Sequence, residues 1–312
     1  MREATIRELR ALLEREERRA AASAGLYAHE EEFQRSPNGI SVVVAVHNGA
    51  AAMRPLLQSL CSQSLERDKF EVIFSLNGCE DNSAALIETI LAGRGMTYTV
   101  LESEQAGISR ARNRALLLAR FRYTTFVDHD DFLSHGYLQT LLHLGDYRSV
   151  VVSNILRVNN GCLEPDYAQR VIGAGFTSSH LHAADEIDLC YRAYTLNAIK
   201  AAPTYMLTRI QYDERLDHCE DVNYWRDLVH AFTPITVKTP GWSDVYYRCL
   251  RPDSASRKHT DLASWAQPRL LILRRIEAAQ QRYDPQSPQS RFDHQLAQLI
   301  RHDLAERKIP MP

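Results

Sequence analysis

Apolar runs of strand length alternate with amphipathic stretches along the first half of the chain. The runs are Ile40–Val46, Phe70–Leu76, Tyr98–Leu101, Thr124–Val127 and Ser149–Asn154. Strands that alternate with helices are joined by right-handed crossovers, which produce a mainly parallel sheet with helices on both faces. Ligands of such sheets bind beyond the carboxyl ends of the strands. The pattern therefore predicts an α/β fold whose chemistry lies in the segments that follow these runs.

The second half of the chain has a less regular pattern. Residues 159–179 are rich in glycine and polar side chains, and they are predicted to be irregular. The elements predicted beyond them are helices near Cys190–Lys200 and Asp221–Ala231, strands at Thr204–Leu207, Ile235–Lys238 and Val245–Cys249, and two amphipathic helices after Leu262.

Both ends of the chain are predicted to be helical extensions of a central domain. The N-terminal segment contains an amphipathic helix with a narrow apolar stripe, formed by Ile6, Leu9, Leu12 and Leu13. The last predicted helix carries its apolar residues on one face, namely Phe292, Leu296, Leu299, Ile300 and Leu304. The expected domains are 1–38, 39–260 and 261–312, and the central domain is expected to divide into the halves 39–155 and 156–260. The terminal helices are expected to pack on their own domain, to join copies into a homo-oligomer, or to contact a partner or a membrane face.

Composition and charge narrow the classes of function. The chain has 37 Lys and Arg against 39 Asp and Glu, so its net charge is -2 and no basic field favours a nucleic-acid partner. No run approaches the ~20 apolar residues that a membrane-spanning helix needs. The six cysteines are scattered without paired spacing. We therefore expect a cytoplasmic protein with reduced thiols and no transmembrane segment, either free or peripheral at the inner face of the membrane.

Three carboxylates stand close together directly after the fourth apolar run: Asp128, Asp130 and Asp131. Mutual repulsion raises the pKa of at least one such group unless a cation is present. Mg²⁺ or Mn²⁺ typically binds one or two carboxylates plus phosphate oxygens of a substrate. The segment therefore indicates either a metal site or an acidic turn before the helix that starts near Ser134.

A second acidic pair, Glu220 and Asp221, directly precedes the helical pattern of Val222–Trp225. A carboxylate at this place is either a residue of the first helical turn or a general base that accepts a proton from an attacking hydroxyl. The spacing along the sequence leaves both interpretations open.

Two segments concentrate cationic side chains. Arg110, Arg112 and Arg114 fall at a helix start, where guanidinium groups and the helix dipole can bind phosphate together. Residues 246–258 contain four cationic side chains and two serines in a turn-rich stretch. Both segments are candidates for phosphate binding, and both are also compatible with an ordinary solvated surface.

Taken in order, these segments resemble a family 2 glycosyltransferase with the GT-A fold. The likeness covers about residues 40–258. The matching segments are Val44–Asn48, Asn77–Ser83, Gly107–Asn113, Val127–Asp131 at the D-x-D position, Cys219–Asp221 and Tyr247–Ser256. Of these, Gly107–Asn113 has the family's pattern G-x-x-x-A-R-N. Each motif alone is only weakly specific for the family. Six motifs in the family's order, over an alternating α/β pattern, are strong evidence for the resemblance.

The resemblance implies a metal-dependent, inverting transfer of a sugar from a nucleotide-diphosphate donor to an acceptor hydroxyl. It also implies that residues 39–155 form a nucleotide-binding half and residues 156–260 an acceptor-binding half. The favoured donor is a UDP-sugar, and the acceptor is a glycan, a lipid-linked molecule or a small molecule in bacterial surface-polysaccharide or other glycan synthesis. Asp221 would be the base with Glu220 beside it. Mn²⁺ or Mg²⁺ would be held by Asp130 and Asp128, with His259 as a candidate third ligand. The donor-binding residues implied are Val46, His47, Asn48, Asn77, Arg112, Asn113, Asp128, Arg248, Arg251 and Ser254.

Two departures from the family pattern fall in the expected nucleoside pocket. The family commonly has an Asp before its D-G-S turn, where this chain has Leu76, and its Pro and Tyr in the first motif are Val46 and His47 here. These changes leave the donor base open. His47 is a candidate to stack on that base.

Two other classes of function remain open. A nucleotidyltransferase can share the sheet and the acidic metal site, but it usually has a Gly- and Lys-rich phosphate loop, which residues 46–55 lack. A catalytically degenerate binding protein of the same fold would be compatible with Leu76. The intact Asp128, Asp130 and Asp221 argue against it.

Overall fold

The computed structural model describes residues 28–173, 181–251 and 261–309, together with Gly25 and Phe176. Its strands are β1 (Ile40–Val46), β2 (Phe70–Asn77), β3 (Thr97–Ser103), β4 (Tyr123–Phe126), β5 (Phe132–Leu133), β6 (Ser149–Val152), β7 (Asn154–Asn159), β8 (Cys162–Pro165), β9 (Leu181–His182), β10 (Lys200–Pro203), β11 (Ile235–Lys238) and β12 (Val245–Cys249). Its α-helices beyond residue 36 are α1 (Arg54–Cys61), α2 (Ser83–Leu91), α3 (Ile108–Leu116), α4 (Tyr137–Leu144), α5 (Tyr167–Gly173), α6 (Thr204–Leu207), α7 (Glu220–Phe232), α8 (Leu262–Gln280) and α9 (Pro288–Glu306). The segments Arg67–Lys69 and Ala184–Thr195 are 3₁₀-helical.

A mixed sheet of eight strands forms the centre of the molecule, in the order β3-β2-β1-β4-β10-β6-β11-β9. Neighbouring strands from β3 to β4 run parallel, as do β6 and β11. β10 and β9 run antiparallel to their neighbours. A second sheet has the order β5-β12-β7-β8. The predicted α/β class with a mainly parallel central sheet is confirmed.

The central strands are buried on both faces, which explains their nearly continuous apolar sequences. Every residue of β2 is buried, and in β1 only Ala45 is partly exposed. The register pairs Val46 with Leu76 at the carboxyl ends of β1 and β2. Because parallel strands end at the same edge, the segments after β1, β2 and β4 meet there.

The region around residue 200 differs from the sequence prediction. The helix predicted near Cys190–Lys200 is a 3₁₀ segment that ends at Thr195, and the strand predicted at Thr204–Leu207 is helix α6. The strand is β10, four residues earlier, and it pairs with β4 and β6. The amide of Thr204 donates to the carbonyl of Arg122 (2.8 Å), which ends the strand and turns the chain into the helix. Periodicity does not distinguish a strand from a helix in apolar segments this short.

Residues 159–179, predicted to be irregular, contain a hairpin and a helix. β7 and β8 pair antiparallel around Asn160 and Gly161, whose φ angles are 49° and 78°. Two-residue hairpin turns of type I′ need positive φ at both central positions, which is why Asn-Gly is strongly preferred there. The chain then enters α5 after Asp166, whose carboxylate accepts a hydrogen bond from the amide of Ala168 (2.7 Å). The prediction was wrong because it weighed polar composition above the Asn-Gly turn.

The terminal helices pack against the central domain where the structure describes them. Residues 28–35 are helical, and the rings of Phe33 and Tyr123 meet edge-on with centroids 5.4 Å apart. The predicted stripe from Ile6 to Leu13 lies outside the described residues. The apolar face of α9 is directed inward, where Phe292 contacts Tyr194 with centroids 5.8 Å apart. Among the helices described, none is long and apolar enough to cross a membrane.

The domain boundaries stay a prediction. The central sheet draws strands from both predicted halves, since β10 and β11 follow residue 156 and lie beside strands that precede it.

Candidate active site

Asn77 joins the ends of β1 and β2 to the start of α3. Its amide nitrogen donates to the carbonyl of Val46 (2.6 Å), and its oxygen accepts from the amide of Gly107 (3.0 Å). Gly107 has a φ of 150°, a region that favours glycine. Both polar atoms of the Asn77 side chain thus bond to the backbone. The side chain joins β1, β2 and the start of α3 at the edge of the sheet where the sequence predicts the donor.

His47 and Asn48 are exposed beyond the end of β1. Nδ1 of His47 lies 2.7 Å from the carbonyl oxygen of Asn77, so this nitrogen carries the proton and donates. Asn48 has a φ of 49°, and its side-chain oxygen accepts from the amide of Glu80 (2.8 Å). The imidazole ring of His47 is therefore exposed while one backbone hydrogen bond holds its orientation.

Gly49 brings the turn after β1 against the acidic turn after β4. A Cβ at this position would lie 2.8 Å from Cδ2 of His129, so a larger residue would displace that ring. The amide of Gly49 donates to the hydroxyl of Ser83 (2.9 Å), and that of Ala50 donates to the carboxylate of Asp81 (2.8 Å). The turns after β1, β2 and β4 consequently form one packed unit.

Asp131 fastens the acidic turn to β12. Its buried carboxylate accepts hydrogen bonds from the hydroxyl of Tyr246 (2.7 Å) and the amide of Cys249 (2.8 Å). Burial, together with the charges of Asp128 and Asp130, raises the pKa of Asp131 well above its usual value. The side chains of Asp128 and Asp130 are 43% and 17% exposed, so these two carboxylates are the ones that a ligand can reach.

Asp130 and Asp128 face different cations. Asp130 forms an ion pair with Arg251, whereas Asp128 lies 3.5 Å from Arg112. Partial burial raises the pKa of Asp128, an effect that Arg112 opposes and Asp130 strengthens. In the described part of the chain, no group of three or more His, Cys, Asp or Glu side chains is arranged to hold a metal ion. Two carboxylates suffice for Mg²⁺ or Mn²⁺ when substrate phosphates complete the coordination, so the site fits such an ion together with a diphosphate.

The remaining residues from the closing motif are only partly described. Nε of Arg248 lies 3.2 Å from the buried carboxylate of Asp166, beside the β7–β8 hairpin. Ser254 and His259 lie outside the described residues. Arg251 is therefore the cationic side chain of this motif that the structure brings to the acidic turn.

Arg112 connects the acidic turn to the second acidic pair. Its side chain is 5% exposed, and the guanidinium donates to Glu220 (2.7 Å) and lies over the ring of Tyr212, 5.3 Å from the centroid. Asn113 pairs with the backbone of Tyr212, donating to its carbonyl (3.0 Å) and accepting from its amide (2.8 Å). Since Arg112 also faces Asp128, α3 joins the end of β4 to the start of α7.

The second acidic pair opens α7. The chain enters the helix through Cys219, which has a φ of 57°, and Glu220 then turns toward Arg112. Asp221 is half-buried, and its carboxylate accepts from the amide of Val222 (2.8 Å). Burial and the charge of Glu220 raise the pKa of Asp221 to about 7, although Arg112 opposes the shift. A carboxylate with such a pKa is suited to accept a proton from a hydroxyl at neutral pH.

Lys200 lies behind this pair, and no sequence motif pointed to it. The side chain is fully buried on β10, with Nζ 4.2 Å from the ring centroid of Trp225 and 3.4 Å from the carbonyl oxygen of Ala198. Burial lowers the pKa of Lys200 to about 7, while the charge of Asp221 opposes the shift. The lysine sits in a short apolar segment, so only the fold reveals that its amine is buried close enough to Asp221 for the two charges to interact.

The segment that contains these turns also matches a known protein family. The model of glycosyl transferase family 2 matches residues 41–213, more than half of the chain. The chain belongs to this family. The matched segment carries the acidic turn and Arg112, whereas the Glu220–Asp221 pair follows it.

Curated members of the family resemble parts of this chain. The putative glycosyltransferase EpsH of Bacillus subtilis (strain 168) is 30% identical over 116 residues, which is 37% of this chain and 33% of EpsH. The poly(ribitol-phosphate) beta-N-acetylglucosaminyltransferase TarS of Staphylococcus aureus is 26% identical over 186 residues, which is 58% of this chain and 30% of TarS. The chain thus matches about a third of the length of these family 2 relatives.

Solved structures show the same fold over most of this family 2 chain. S. aureus TarS 1-349 in complex with UDP-GlcNAc matches with a TM-score of 0.65 and 20% identity, covering 86% of this chain and 73% of that one. Mannosyltransferase PcManGT from Pyrobaculum calidifontis, in complex with GDP-Man and Mn²⁺, matches with a TM-score of 0.56 and 16% identity, covering 92% and 83%. The predicted GT-A fold is confirmed.

Proposed function

We propose that this protein transfers a sugar from a nucleotide-diphosphate sugar to an acceptor hydroxyl, with inversion and with the help of Mn²⁺ or Mg²⁺, in bacterial glycan synthesis. The observation that carries the proposal is the half-buried carboxylate of Asp221, with its pKa raised to about 7, at the start of the helix whose Glu220 is bound by Arg112. The same Arg112 faces Asp128 at the end of β4. An inverting displacement needs a proton acceptor on the acceptor side and positive charge on the leaving diphosphate, and the chain has residues for both.

In the proposed reaction, Asp221 accepts the proton of the acceptor hydroxyl while that oxygen forms a bond to the anomeric carbon. The bond from this carbon to the diphosphate oxygen breaks, and the nucleoside diphosphate leaves with the electron pair. Asp130 and Asp128 would hold the divalent cation, which stabilises the charge of the diphosphate when bound. Arg251, now paired with Asp130, would contact the same diphosphate.

UDP-N-acetylglucosamine is the donor we propose first. S. aureus TarS is named as an N-acetylglucosaminyltransferase and has been solved with this donor. PcManGT has been solved with GDP-Man, which makes GDP-mannose the second donor to compare. Poly(ribitol phosphate) and bacterial glycan oligomers are the acceptors to screen, since both offer free hydroxyls.

A thermal-shift panel tests nucleotide and metal binding together. The melting temperature is measured with UDP, GDP or CMP, each with Mn²⁺, Mg²⁺ or EDTA, for the wild type and Asp130→Ala. A nucleotide that binds the folded state raises the melting temperature by mass action. We expect one nucleotide to stabilise the wild type only with metal, and Asp130→Ala to abolish that effect. If no nucleotide shifts the wild type, the transferase proposal fails at its first step.

Turnover tests the chemistry itself. Release of UDP from UDP-N-acetylglucosamine is followed with each acceptor, and the anomeric configuration of the product is read by proton NMR. Inversion converts an α-linked donor into a β-linked product. A product that retains the configuration of the donor would contradict the single-displacement mechanism.

A further inference from the structure

Arg275, on the C-terminal helix α8, holds both ends of the segment that carries the proposed base. Its Nη1 donates to the side-chain oxygen of Asn223 (2.7 Å), and its Nη2 donates to the carboxylate of Asp213 (2.5 Å). Asp213 begins the loop that leads to α7, and Asn223 lies two residues after Asp221. One guanidinium therefore bridges the start of the loop and the first turn of the helix.

The loop between these two ends is mostly exposed or half-buried, and Glu214 in it contacts Arg110 and Asn113 on α3. Within residues 214–218, only Leu216 is buried. The loop enters α7 through the left-handed residue Cys219, and the amide of Asn223 closes the first helical turn on the carbonyl of Cys219 (3.1 Å). Besides the Glu220–Arg112 pair, the position of Asp221 therefore depends on how the two ends of this loop are held.

The Asp213 end is itself fixed to the side of the site that faces the acidic turn. The preceding residue, Tyr212, lies under Arg112 and stacks on Tyr224 with centroids 3.8 Å apart and an interplanar angle of 3°. Its backbone pairs with Asn113 on α3. By binding Asp213, Arg275 therefore ties the base segment to the element that carries Arg112.

The contact of Arg275 belongs to a larger polar network that joins α7 to both C-terminal helices. Asn223 donates from its amide nitrogen to Asp227 (3.0 Å), and Asp227 also pairs with Arg226 (3.2 Å). Arg226 donates through two nitrogens to the carboxylate of Asp293 on α9, both at 2.7 Å. The helix that carries Asp221 is thus held from α8 and from α9.

We propose that Arg275 is a positioning residue for Asp221. The C-terminal helices would then help to hold the proposed base in the place where it accepts a proton. This inference rests on the proposed function. Arg275 acts by holding the loop and the first helical turn at a fixed separation. A lysine at this position presents a single ammonium group, whereas the guanidinium binds Asp213 and Asn223 through two separate nitrogens.

The test compares Arg275→Ala with Arg274→Ala, because Arg274 is the exposed neighbour on the same helix. Displacement of a catalytic group by about 1 Å costs up to roughly 100-fold in rate. In Arg275→Ala we expect kcat to fall by about 10- to 100-fold while the donor KM and the nucleotide-induced rise in melting temperature stay unchanged. Added guanidinium ion is expected to restore part of the rate, and Arg275→Lys to be intermediate. Arg274→Ala is expected to match the wild type.

Hydrogen exchange provides a readout that needs no turnover. In the full-length protein, the amides of residues 213–223 are expected to exchange faster in Arg275→Ala than in Arg274→Ala, with unchanged exchange in β1. Unchanged exchange of the loop, or an unchanged kcat, would overturn the inference, as would a parallel loss of kcat and donor binding. If Arg275→Ala does not fold, Arg275→Lys is measured in the same way. Absence of turnover in the wild type would count against the proposed function alone, because the exchange experiment still decides the role of Arg275.

Discussion

The carboxylate of Glu220 lies 2.7 Å from the guanidinium of Arg112, and the two side chains are only 11% and 5% exposed. This buried pair fixes the first residue of α7 to α3. Because Glu220 is committed to Arg112, the adjacent Asp221 is the carboxylate that remains for proton transfer. The geometry therefore favours Asp221 over Glu220 as the base of the proposed reaction, the role that the family resemblance implied for Asp221.

The buried pair leads to a prediction about stability. Arg112→Ala leaves the carboxylate of Glu220 buried without its cation, and breaking a buried ion pair in this way typically costs about 3–5 kcal/mol. We expect the free energy of unfolding, measured by urea denaturation, to fall by that order. The control is Arg110→Ala on the same helix, whose pair with Glu214 is 37% and 45% exposed. An exposed pair is worth about 0–1 kcal/mol, so equal losses in the two variants would contradict the prediction.

The raised pKa of Asp221 leads to a prediction about rate. The base must be deprotonated to accept a proton, so kcat of the wild type is expected to rise with pH up to about 7 and then to level off. Asp221→Asn removes the acceptor, and kcat is expected to fall by about 100- to 10,000-fold. Binding of the nucleotide, measured by thermal shift, is expected to remain.

The matched control for this experiment is Asp217→Asn, because Asp217 is an exposed carboxylate in the loop that precedes the same helix. It is expected to keep the rate and the pH profile of the wild type. A pH profile of the wild type that is flat between pH 5 and 8 would argue against Asp221 as the titrating base.

Much of the fold could be predicted from the sequence because the buried parallel strands are continuous apolar runs. β11 and β12 have the predicted bounds, and α7 differs by one residue at each end. The predictions were wrong near β10, where a short apolar segment is compatible with either a strand or a helix. They were also wrong at Asn160, where the polar composition was given more weight than the Asn-Gly turn. The antiparallel place of β10 between β4 and β6 depends on contacts distant in sequence, which no local pattern encodes.

The candidate site was predictable only at the level of motifs. The order of the motifs assigned Asp128, Arg112 and Asp221 to one predicted active site. It did not predict the contacts between these side chains. Lys200 and Arg275 carry no motif, since their importance depends on burial behind Asp221 and on distance from Asn223 across the fold. Such roles follow from tertiary geometry alone.

The docking of α9 leads to a third prediction. Asp293 is 1% exposed and receives two hydrogen bonds from Arg226, so Asp293→Ala leaves the buried guanidinium with the half-exposed Asp227, 3.2 Å away, as its remaining acidic partner. We expect a loss of about 3–5 kcal/mol in the free energy of unfolding. The control is Glu277→Ala, which breaks an exposed pair with Arg301 between α8 and α9 and is expected to cost no more than about 1 kcal/mol. If Asp293→Ala unfolds at the same urea concentration as Glu277→Ala, the buried pair does not secure α9.

The exposed ring of His47 leads to the last prediction. Its Nδ1 is held by the carbonyl of Asn77, which presents the ring as a preformed surface at the end of β1. If the ring stacks on the donor base, His47→Ala should weaken nucleotide binding roughly tenfold, since stacking of a base on an aromatic ring is worth about 1–3 kcal/mol. His47→Phe keeps an aromatic face and should retain most of the affinity. Titration calorimetry with UDP measures both variants.

The control for His47 is His135→Ala, because His135 is also exposed and also contacts a backbone carbonyl, that of Ser62, through Nδ1. It should leave the affinity for UDP unchanged. If His47→Ala binds UDP as tightly as His135→Ala does, His47 does not contact the base. If both His47→Ala and His47→Phe lose affinity equally, the ring acts through its nitrogen atoms and not by stacking.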